Sequence, residues 1–335
     1  MIITRTPFRV SFFGGGTDYP PYYLQNGGAV LSTAINRYCY ITCRRFPPFF
    51  PNAFRIVWSH IEPVSTVSEI LHPAVREGLR MTGYDDTQGV EIHHQGDLPA
   101  RSGMGSSSAF ANGLILALKA LKDEKIDKSD LYEAAIDLEQ NWIKENVGSQ
   151  DQVATAVGGL NIIHFKQGGE IVVEPLNLAA ERKQMLKERL MLFYSGASRV
   201  ASNIAKTFVD TLVDRKAQLK RMHDMVFEAR DVLRGGDMDR FGHMLDETWQ
   251  MKRQLSDMIS NEKIDGIYDA ARNAGAIGGK LLGAGGAGFF LVYADPKHHA
   301  AIREALGRLI YVPFDYDDDG ATILLKQTEV VPPRR

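Results

Sequence analysis

The sequence predicts a globular protein of two domains that contain both helices and strands. At 335 residues the chain is long enough to build two hydrophobic cores. Apolar residues make up 44% of it and charged residues 24%, as is typical of a soluble globular protein. Strand-like and helix-like segments alternate, and a stretch rich in glycine and charge at 166–186 interrupts them. We therefore predict one domain at 1–170 and a second at 185–330.

Charge and cysteine content exclude several classes of partner. The 39 basic and 41 acidic side chains leave a net charge of −2, so no global field favours nucleic acid or an anionic membrane. The apolar runs fall short of the roughly 20 residues that span a bilayer. Arg5 and Arg9 interrupt the first apolar segment, which does not fit a secretory signal. We expect a cytoplasmic protein whose Cys39 and Cys43 are reduced core thiols; an oligomer is possible but not indicated.

The first half of the chain predicts strands that lead into glycine-rich loops. β-Branched and aromatic residues favour strands, and a proline near the start of a segment suits the first turn of a helix. The predicted segments are a strand at 2–13, a turn at 17–21, a pair of strands over 29–45, a helix at 72–82 and a strand at 90–94.

The rest of the chain continues this mixture. Ser129 is the predicted N-cap of a helix whose apolar face carries Leu131, Ala135, Leu138 and Trp142. The later predicted segments are strands at 161–165, 190–194, 289–293 and 321–326, helices across 200–275 and a glycine-rich turn over 275–288.

Residues 99–109, with the sequence PARSGMGSSSA, have the composition of a phosphate-binding loop before a helix. The first amides of a helix lack intrahelical partners and lie at the positive end of its dipole, so they bind phosphate oxygens. A serine hydroxyl in such a loop can also reach a phosphate-bound Mg²⁺. A glycine turn with a serine N-cap is the plainer interpretation of the same residues.

Two other phosphate loops do not fit the sequence. A Walker A motif would use the only Gly-Lys pair, but Ala274 stands at its first glycine position and Leu281 follows Lys280. A dinucleotide fingerprint would use the three glycines at 14–16, but Tyr19 stands at its third glycine position.

Three glycine-bearing stretches, at 7–19, 99–109 and 280–288, resemble the three motifs of the GHMP kinases in content and order. This superfamily includes the galactokinases and the homoserine, mevalonate and phosphomevalonate kinases, and the resemblance covers nearly the whole chain. It implies an α+β fold of two domains, the first like ribosomal protein S5 domain 2 and the second ferredoxin-like. ATP and a small-molecule substrate would bind between them.

The resemblance also implies the residues on the nucleotide side. Ser107 matches the serine that reaches Mg²⁺, and Glu139 matches the family's Mg²⁺-binding glutamate, although by spacing alone Glu139 is a surface helix residue. The implied phosphate-binding residues are Gly103, Gly105, Ser106, Ser107 and Ser108. The third motif would shape the nucleotide pocket through Gly283, Gly285 and Gly286; a flexible interdomain turn is the alternative there.

On the acceptor side, Asp151 matches the family's general base. Arg9 matches the basic residue that polarises the acceptor hydroxyl or steadies the base. Asp18 matches the aspartate that binds sugar hydroxyls in galactokinases, and Thr17 before it is also expected at the substrate site. By local sequence these three are a solvated loop aspartate, a strand cation and a turn-forming residue.

The first motif departs from that of galactokinases at two positions. Galactokinases place Glu and His where this chain has Gly15 and Gly16, so the sugar end of the implied substrate site is larger here. This triple-glycine variant, with the segments 69–77 and 195–199, resembles the D-glycero-D-manno-heptose 7-phosphate kinases, which phosphorylate the anomeric hydroxyl.

A phosphorylated sugar requires a second basic site, because a guanidinium grips phosphate with two hydrogen bonds. Arg199 is our first choice for it; the other available arginines are Arg44, Arg45, Arg76 and Arg101. Two rival functions remain. One is a kinase of an unphosphorylated sugar such as L-fucose, although fucokinases usually have Trp at the position of Gly16. The other is a non-catalytic sugar or ATP sensor.

Overall fold

The computed structural model describes residues 1–196, 215–254, 259–283 and 285–327. The strands are β1 Ile2–Phe13, β2 Gly28–Arg45, β3 Phe54–Val57, β4 Ile61–Val64, β5 Val90–Gly96, β6 Leu160–Phe165, β7 Ile171–Pro175, β8 Leu190–Tyr194, β9 Ala276–Leu281, β10 Phe289–Ala294, β11 Ile310–Tyr311 and β12 Thr322–Lys326. The helices are α1 Pro20–Asn26, α2 Pro73–Met81, α3 Ser106–Leu121, α4 Lys128–Asp137, α5 Gln150–Val157, α6 Ala180–Arg189, α7 Lys216–Gly235, α8 Met238–Arg253, α9 Glu262–Asn273 and α10 His299–Ala305.

The first sheet has eight strands, and β1 lies inside it. Its main path runs β12-β1-β2-β5-β3-β4, and β6 joins β2 and carries β7. The first part of β2 pairs with β6 and the last part with β5, so one long strand serves two neighbours. The strand β12 pairs antiparallel with β1, which brings the end of the described chain beside its beginning. The division into domains at 1–170 and 185–330 stays a prediction.

The helix α3 lies directly on β1 and is buried along most of its length. Gly113 allows the close contact: the Thr4 hydroxyl donates to its carbonyl at 2.9 Å. A Cβ added there would lie 3.0 Å from Oγ1 of Thr6. This packing holds the start of α3 beside β1.

The second sheet has four antiparallel strands in the order β11-β8-β10-β9. The helix α8 packs on β9 at two glycines, because a Cβ on Gly278 would lie 2.0 Å from the carbonyl oxygen of Gly242. The strand β9 ends at Leu281, where the chain enters the third glycine-rich motif.

Several predicted elements differ from the observed ones. Residues 28–45 form one strand instead of a pair, because β-propensity runs through the segment without a break. The predicted turn over 275–288 begins with β9, whose glycines sit under a helix. The predicted turn at 17–21 runs into α1, whose first positions are prolines that need no amide partner there.

The helix α4 also begins and packs differently from the prediction. Its N-cap is Asp127, which accepts from the amide of Asp130 at 2.9 Å, and Ser129 only donates to the Asp127 carboxylate. Trp142 is 42% exposed and does not join the buried face that Leu131, Ala135 and Leu138 form.

The cysteine prediction agrees with the structure: Cys39 and Cys43 are buried thiols on β2. Within the described ranges, no helix has the length and apolar character needed to cross a membrane.

Candidate active site

The phosphate loop predicted at 99–109 joins β5 to α3. The three serines predicted to bind phosphate are the first residues of α3, and Gly105 is its N-cap with φ 74°. Gly103 has φ 83°, so both glycines occupy left-handed conformations that other residues avoid. The hydroxyl of Ser106 accepts from the amide of Arg101 at 3.1 Å, which uses that side chain to shape the loop. The helix therefore presents its unpaired first amides at this turn.

The third motif lies against the phosphate loop. A Cβ on Gly283 would come within 2.3 Å of Cα of Gly103, and one on Gly288 within 2.3 Å of the Ser102 carbonyl oxygen. The two backbones are therefore in van der Waals contact. The other glycines predicted for the nucleotide pocket, Gly285 and Gly286, instead meet the backbone of Ile259.

Arg9, on β1, binds the carboxylate of Asp151 with two parallel hydrogen bonds. Nε donates to Oδ1 and Nη2 donates to Oδ2, each at 2.7 Å. Nη1 donates to the carbonyl of Gly103 at 2.6 Å, so one guanidinium joins the phosphate loop to Asp151. Arg9 is 4% exposed, whereas the Asp151 side chain is 26% exposed. The pair therefore leaves part of the carboxylate open to a ligand.

Asp18 is buried beside this pair. Its Oδ1 accepts from the amide of Gly16 at 2.8 Å, and its Oδ2 accepts from the amide of Gln150 at 3.3 Å. A Cβ on Gly148 would lie 1.9 Å from Oδ2, so the chain passes the carboxylate as closely as only glycine permits. Burial raises the pKa of Asp18, and the negative charge of Asp151 adds to the effect.

Thr17, predicted to bind substrate, is fully buried. Its hydroxyl lies 2.7 Å from the Gly14 carbonyl oxygen and 3.0 Å from that of Ala29, and it accepts from the Ala29 amide. It therefore holds the glycine-rich turn. Gly15 is more open, since a Cβ there would meet only Nε2 of Gln150 at 3.6 Å and Oγ of Ser11 at 3.8 Å.

Glu139 is buried beside the serines of α3, at 1% exposure. It lies in a π-helical turn, Leu138–Trp142, that follows α4 and rotates its side chain inward. Ser107 donates to Oε1, and Oε2 accepts from Ser108 at 2.7 Å and from Gln152 at 2.6 Å. Burial raises the pKa of Glu139 to about 7, because these neutral donors only partly replace water.

The oxygens of Glu139 and Ser107 form a donor set suited to Mg²⁺. This ion prefers oxygen ligands and is usually bound by one or two carboxylates together with substrate phosphates. In the described part of the chain, no three His, Cys, Asp or Glu side chains cluster as a metal site.

Arg199, our first choice for the second phosphate site, lies outside the described residues. Two alternative arginines are already paired: Arg44 binds Glu91, and Arg76 binds Glu77 and the carbonyl of Ile70.

Four polar side chains near the site were not predicted from the sequence. Ser11 and Gln150 flank Gly15, and each has a buried side-chain oxygen without a partner among the described residues. Lys252 and Lys280 lie at the junction of β9 and the third motif. Ser11 lies within the first motif, Gln150 precedes Asp151 and Lys280 begins the third motif, so these positions carry a usable signal; nothing local distinguishes Lys252.

Two family models match the chain. The GHMP kinases N terminal domain matches residues 67–159, and the GHMP kinases C terminal domain matches residues 229–312, together more than half of the chain.

Curated relatives are similar over most of the chain. The D-glycero-alpha-D-manno-heptose 7-phosphate kinase of Campylobacter jejuni is 26% identical over 91% of this chain and 93% of its own length. The bifunctional fucokinase/GDP-fucose pyrophosphorylase of Arabidopsis thaliana is 27% identical over 90% of this chain. The match spans 30% of the length of that protein.

Solved structures share the fold. A D-glycero-D-manno-heptose 1-phosphate kinase from Bacteroides thetaiotaomicron superposes with a TM-score of 0.78 at 22% identity, covering 98% of this chain and 100% of that one. The galactokinase of Lactococcus lactis in complex with galactose superposes with a TM-score of 0.75 at 17% identity, covering 96% of this chain and 94% of that one. The predicted α+β fold is confirmed, and the chain belongs to the GHMP kinases as a sugar kinase that uses ATP.

Proposed function

We propose that this kinase transfers the γ-phosphoryl group of ATP to the anomeric hydroxyl of D-glycero-D-manno-heptose 7-phosphate, giving the 1,7-bisphosphate. The observation that carries the proposal is the Arg9–Asp151 pair, which is tied to the phosphate loop through Gly103 and whose carboxylate side chain is 26% exposed. A carboxylate held there would lie beside the predicted position of the transferred group.

In this mechanism Asp151 takes the proton of the acceptor hydroxyl. Arg9 occupies one lone pair of each carboxylate oxygen and fixes the plane of the group, which leaves further lone pairs for the acceptor proton. The hydroxyl oxygen then bonds to the γ-phosphorus while the bond between that phosphorus and the bridging oxygen breaks, and ADP leaves. The first amides of α3 stabilise the phosphate charge.

We assign Mg²⁺ to Glu139 and Ser107, where its charge would neutralise the phosphates. The ionised Glu139 is costly without a cation, because its three donors are neutral. Ser108 and Gln152 orient the carboxylate through Oε2.

The acceptor sugar would lie over Gly15, with Asp18 beneath. Ser11 and Gln150 flank Gly15 through Oγ and Nε2, and sugar hydroxyls bound there would hydrogen-bond these side chains. Glycine at 15 and 16 leaves room for a sugar longer than a hexose. The Campylobacter jejuni heptose 7-phosphate kinase, similar over 91% of the chain, supports the choice of a phosphorylated heptose.

The test is ADP release with Mg-ATP and a panel of acceptors. The panel contains D-glycero-D-manno-heptose 7-phosphate, the unphosphorylated heptose, L-fucose, galactose and mannose, and Asp151→Asn serves as the inactive control. We expect turnover with the phosphorylated heptose, its abolition by the substitution, and a 1,7-bisphosphate product by phosphorus NMR.

Preference for a free sugar would overturn the heptose phosphate assignment and leave a sugar kinase of another specificity. The similarity to the Arabidopsis fucokinase makes L-fucose the first competitor to compare. No turnover with any acceptor, together with tight ATP binding, would favour a non-catalytic sugar or ATP sensor.

A further inference from the structure

Two lysines, Lys280 buried and Lys252 half-buried, lie between the phosphate loop and the glycine-rich turn at 14–19, here called the acceptor loop, and the mechanism above uses neither. Lys280 is 5% exposed, and its Nζ donates to the carbonyl of Phe12 at 2.8 Å, just before the triple glycine. Nζ of Lys252 donates to the carbonyl of Leu281 at 2.9 Å and also to that of Gly283.

The fold brings both ammonium groups to the same junction. Lys252 lies in the last turn of α8 and Lys280 is the next-to-last residue of β9. The close contact of Gly242 with Gly278 lets α8 sit on β9, so both lysines reach the end of that strand. Gly283, which Lys252 holds, is the residue that contacts Gly103 of the phosphate loop.

The charges at this junction do not balance. Arg9 is paired with Asp151, but neither lysine has a carboxylate within ion-pair distance among the described residues, only backbone carbonyls. Burial, together with the positive charge of Arg9, lowers the pKa of Lys252 to about 7. Burial and the charges of Lys252 and Arg9 lower the pKa of Lys280. A buried cation without a counterion is costly, whereas an anionic ligand would compensate it.

We propose that Lys252 binds the γ-phosphoryl group during its transfer, while Lys280 is a positioning residue that holds the acceptor loop through Phe12. The proposal rests on the kinase reaction and not on which sugar is the acceptor. An ammonium group donates three hydrogen bonds, and two are given to carbonyls, so one remains for a phosphate oxygen. The acceptor proton still goes to Asp151, and Lys252 keeps its own protons throughout.

The decisive variant is Lys252→Gln, whose amide still donates to the carbonyls but carries no charge. We expect kcat to fall about 10- to 100-fold, the effect of losing one charge-assisted hydrogen bond. The Kd of the non-hydrolysable analogue AMPPNP should rise about tenfold, whereas the Kd of ADP, which lacks the γ-phosphate, should stay within about twofold.

The matched control is Lys122→Gln. Lys122 also donates to two carbonyls, those of Thr82 and Gly83, at 2.7 and 2.8 Å, but at the far end of α3. We expect it to leave kcat and both nucleotide affinities unchanged.

Three outcomes would overturn the proposal. Unchanged kcat and AMPPNP affinity would make Lys252 irrelevant, and equal weakening of AMPPNP and ADP would show a purely structural role in the loop. A rise in KM for the phosphorylated sugar alone would place the contact on the substrate's own phosphate. If Lys252→Gln does not fold, Lys252→Arg takes its place, because it keeps the charge and should still bind AMPPNP more tightly than ADP. A folded Lys252→Arg protein that binds both nucleotides equally contradicts the proposal.

Discussion

Two carboxylates lie against the start of α3, and the fold holds them in opposite ways. Asp151 is bound by a guanidinium through two hydrogen bonds and is partly open to solvent. Glu139 is buried among two hydroxyls and an amide, none of which carries charge. Adjacent residues of α5 serve both sites, since Asp151 meets Arg9 and Gln152 meets Glu139.

The difference shows what each site lacks. Asp151 already has its counter-charge, so it needs only a hydrogen-bonding partner such as an acceptor hydroxyl. Glu139 lacks a counter-charge, and burial raises its pKa to about 7. The proposed base and the proposed metal ligand thus differ in their neighbours before any ligand is bound.

The largest effect should come from Asp151→Asn. The amide keeps the shape but cannot take the acceptor proton, so we expect kcat to fall by about 10²- to 10⁴-fold, the contribution of a general base. ATP affinity, measured by calorimetry, should change little. A kcat within threefold of wild type would mean that the carboxylate is not the base.

Glu139→Gln tests the other carboxylate. We expect kcat to fall by about 10- to 100-fold, the loss of one charge-assisted contact, and the Mg²⁺ concentration for half-maximal activity to rise. If the metal dependence stays the same while kcat falls, Glu139 is not the ligand that we propose.

The same variant gives a pH prediction in the absence of nucleotide. Because the folded pKa of Glu139, about 7, lies above the unfolded value of 4.5, its contribution to the free energy of unfolding is full below pH 4.5 and is lost as pH rises to 7. The free energy of unfolding of wild type, relative to Glu139→Gln, should fall by about 3 kcal/mol over this range in urea titrations. A constant difference between the two proteins would contradict this.

Arg9→Lys asks how much of the Asp151 site depends on the guanidinium geometry. Lysine retains the charge but cannot make two parallel bonds, so we expect kcat to fall about tenfold with KM for the sugar little changed. A larger loss than in Asp151→Asn would indicate that Arg9 acts on the phosphoryl group as well.

Gly15→Ala should have the smallest effect on the fold. A Cβ there meets its neighbours at 3.6 and 3.8 Å, and φ of Gly15 lies outside the left-handed range, so the unfolding free energy should change by less than about 1 kcal/mol. If the sugar lies over this residue, KM for the sugar rises severalfold while ATP affinity is unchanged. Gly283→Ala is the contrasting variant, because its Cβ would lie only 2.3 Å from Cα of Gly103 in the phosphate loop.

The parts of the molecule that the sequence predicts well are local. The phosphate loop is a continuous stretch whose glycines, serines and following apolar run each have one structural consequence, and the strand predicted just before it at 90–94 is observed as β5. The buried position of Glu139 is harder to predict. Helical spacing places this residue on the surface, and only the π-helical turn after α4 brings it inward. The lysines at the β9 junction depend on glycine packing between α8 and β9, which no local pattern encodes.

The pairing of β12 with β1 has a consequence for how the protein is made. Arg9 belongs to a strand that is synthesised first, but one edge of that strand is covered only by residues near the other end of the chain. A growing chain on the ribosome therefore carries an open edge beside β1 until residue 326 has emerged, and contacts of such sequence separation form slowly. The strand that bears Arg9 is thus among the last to be completed, and its open edge needs protection from aggregation until then.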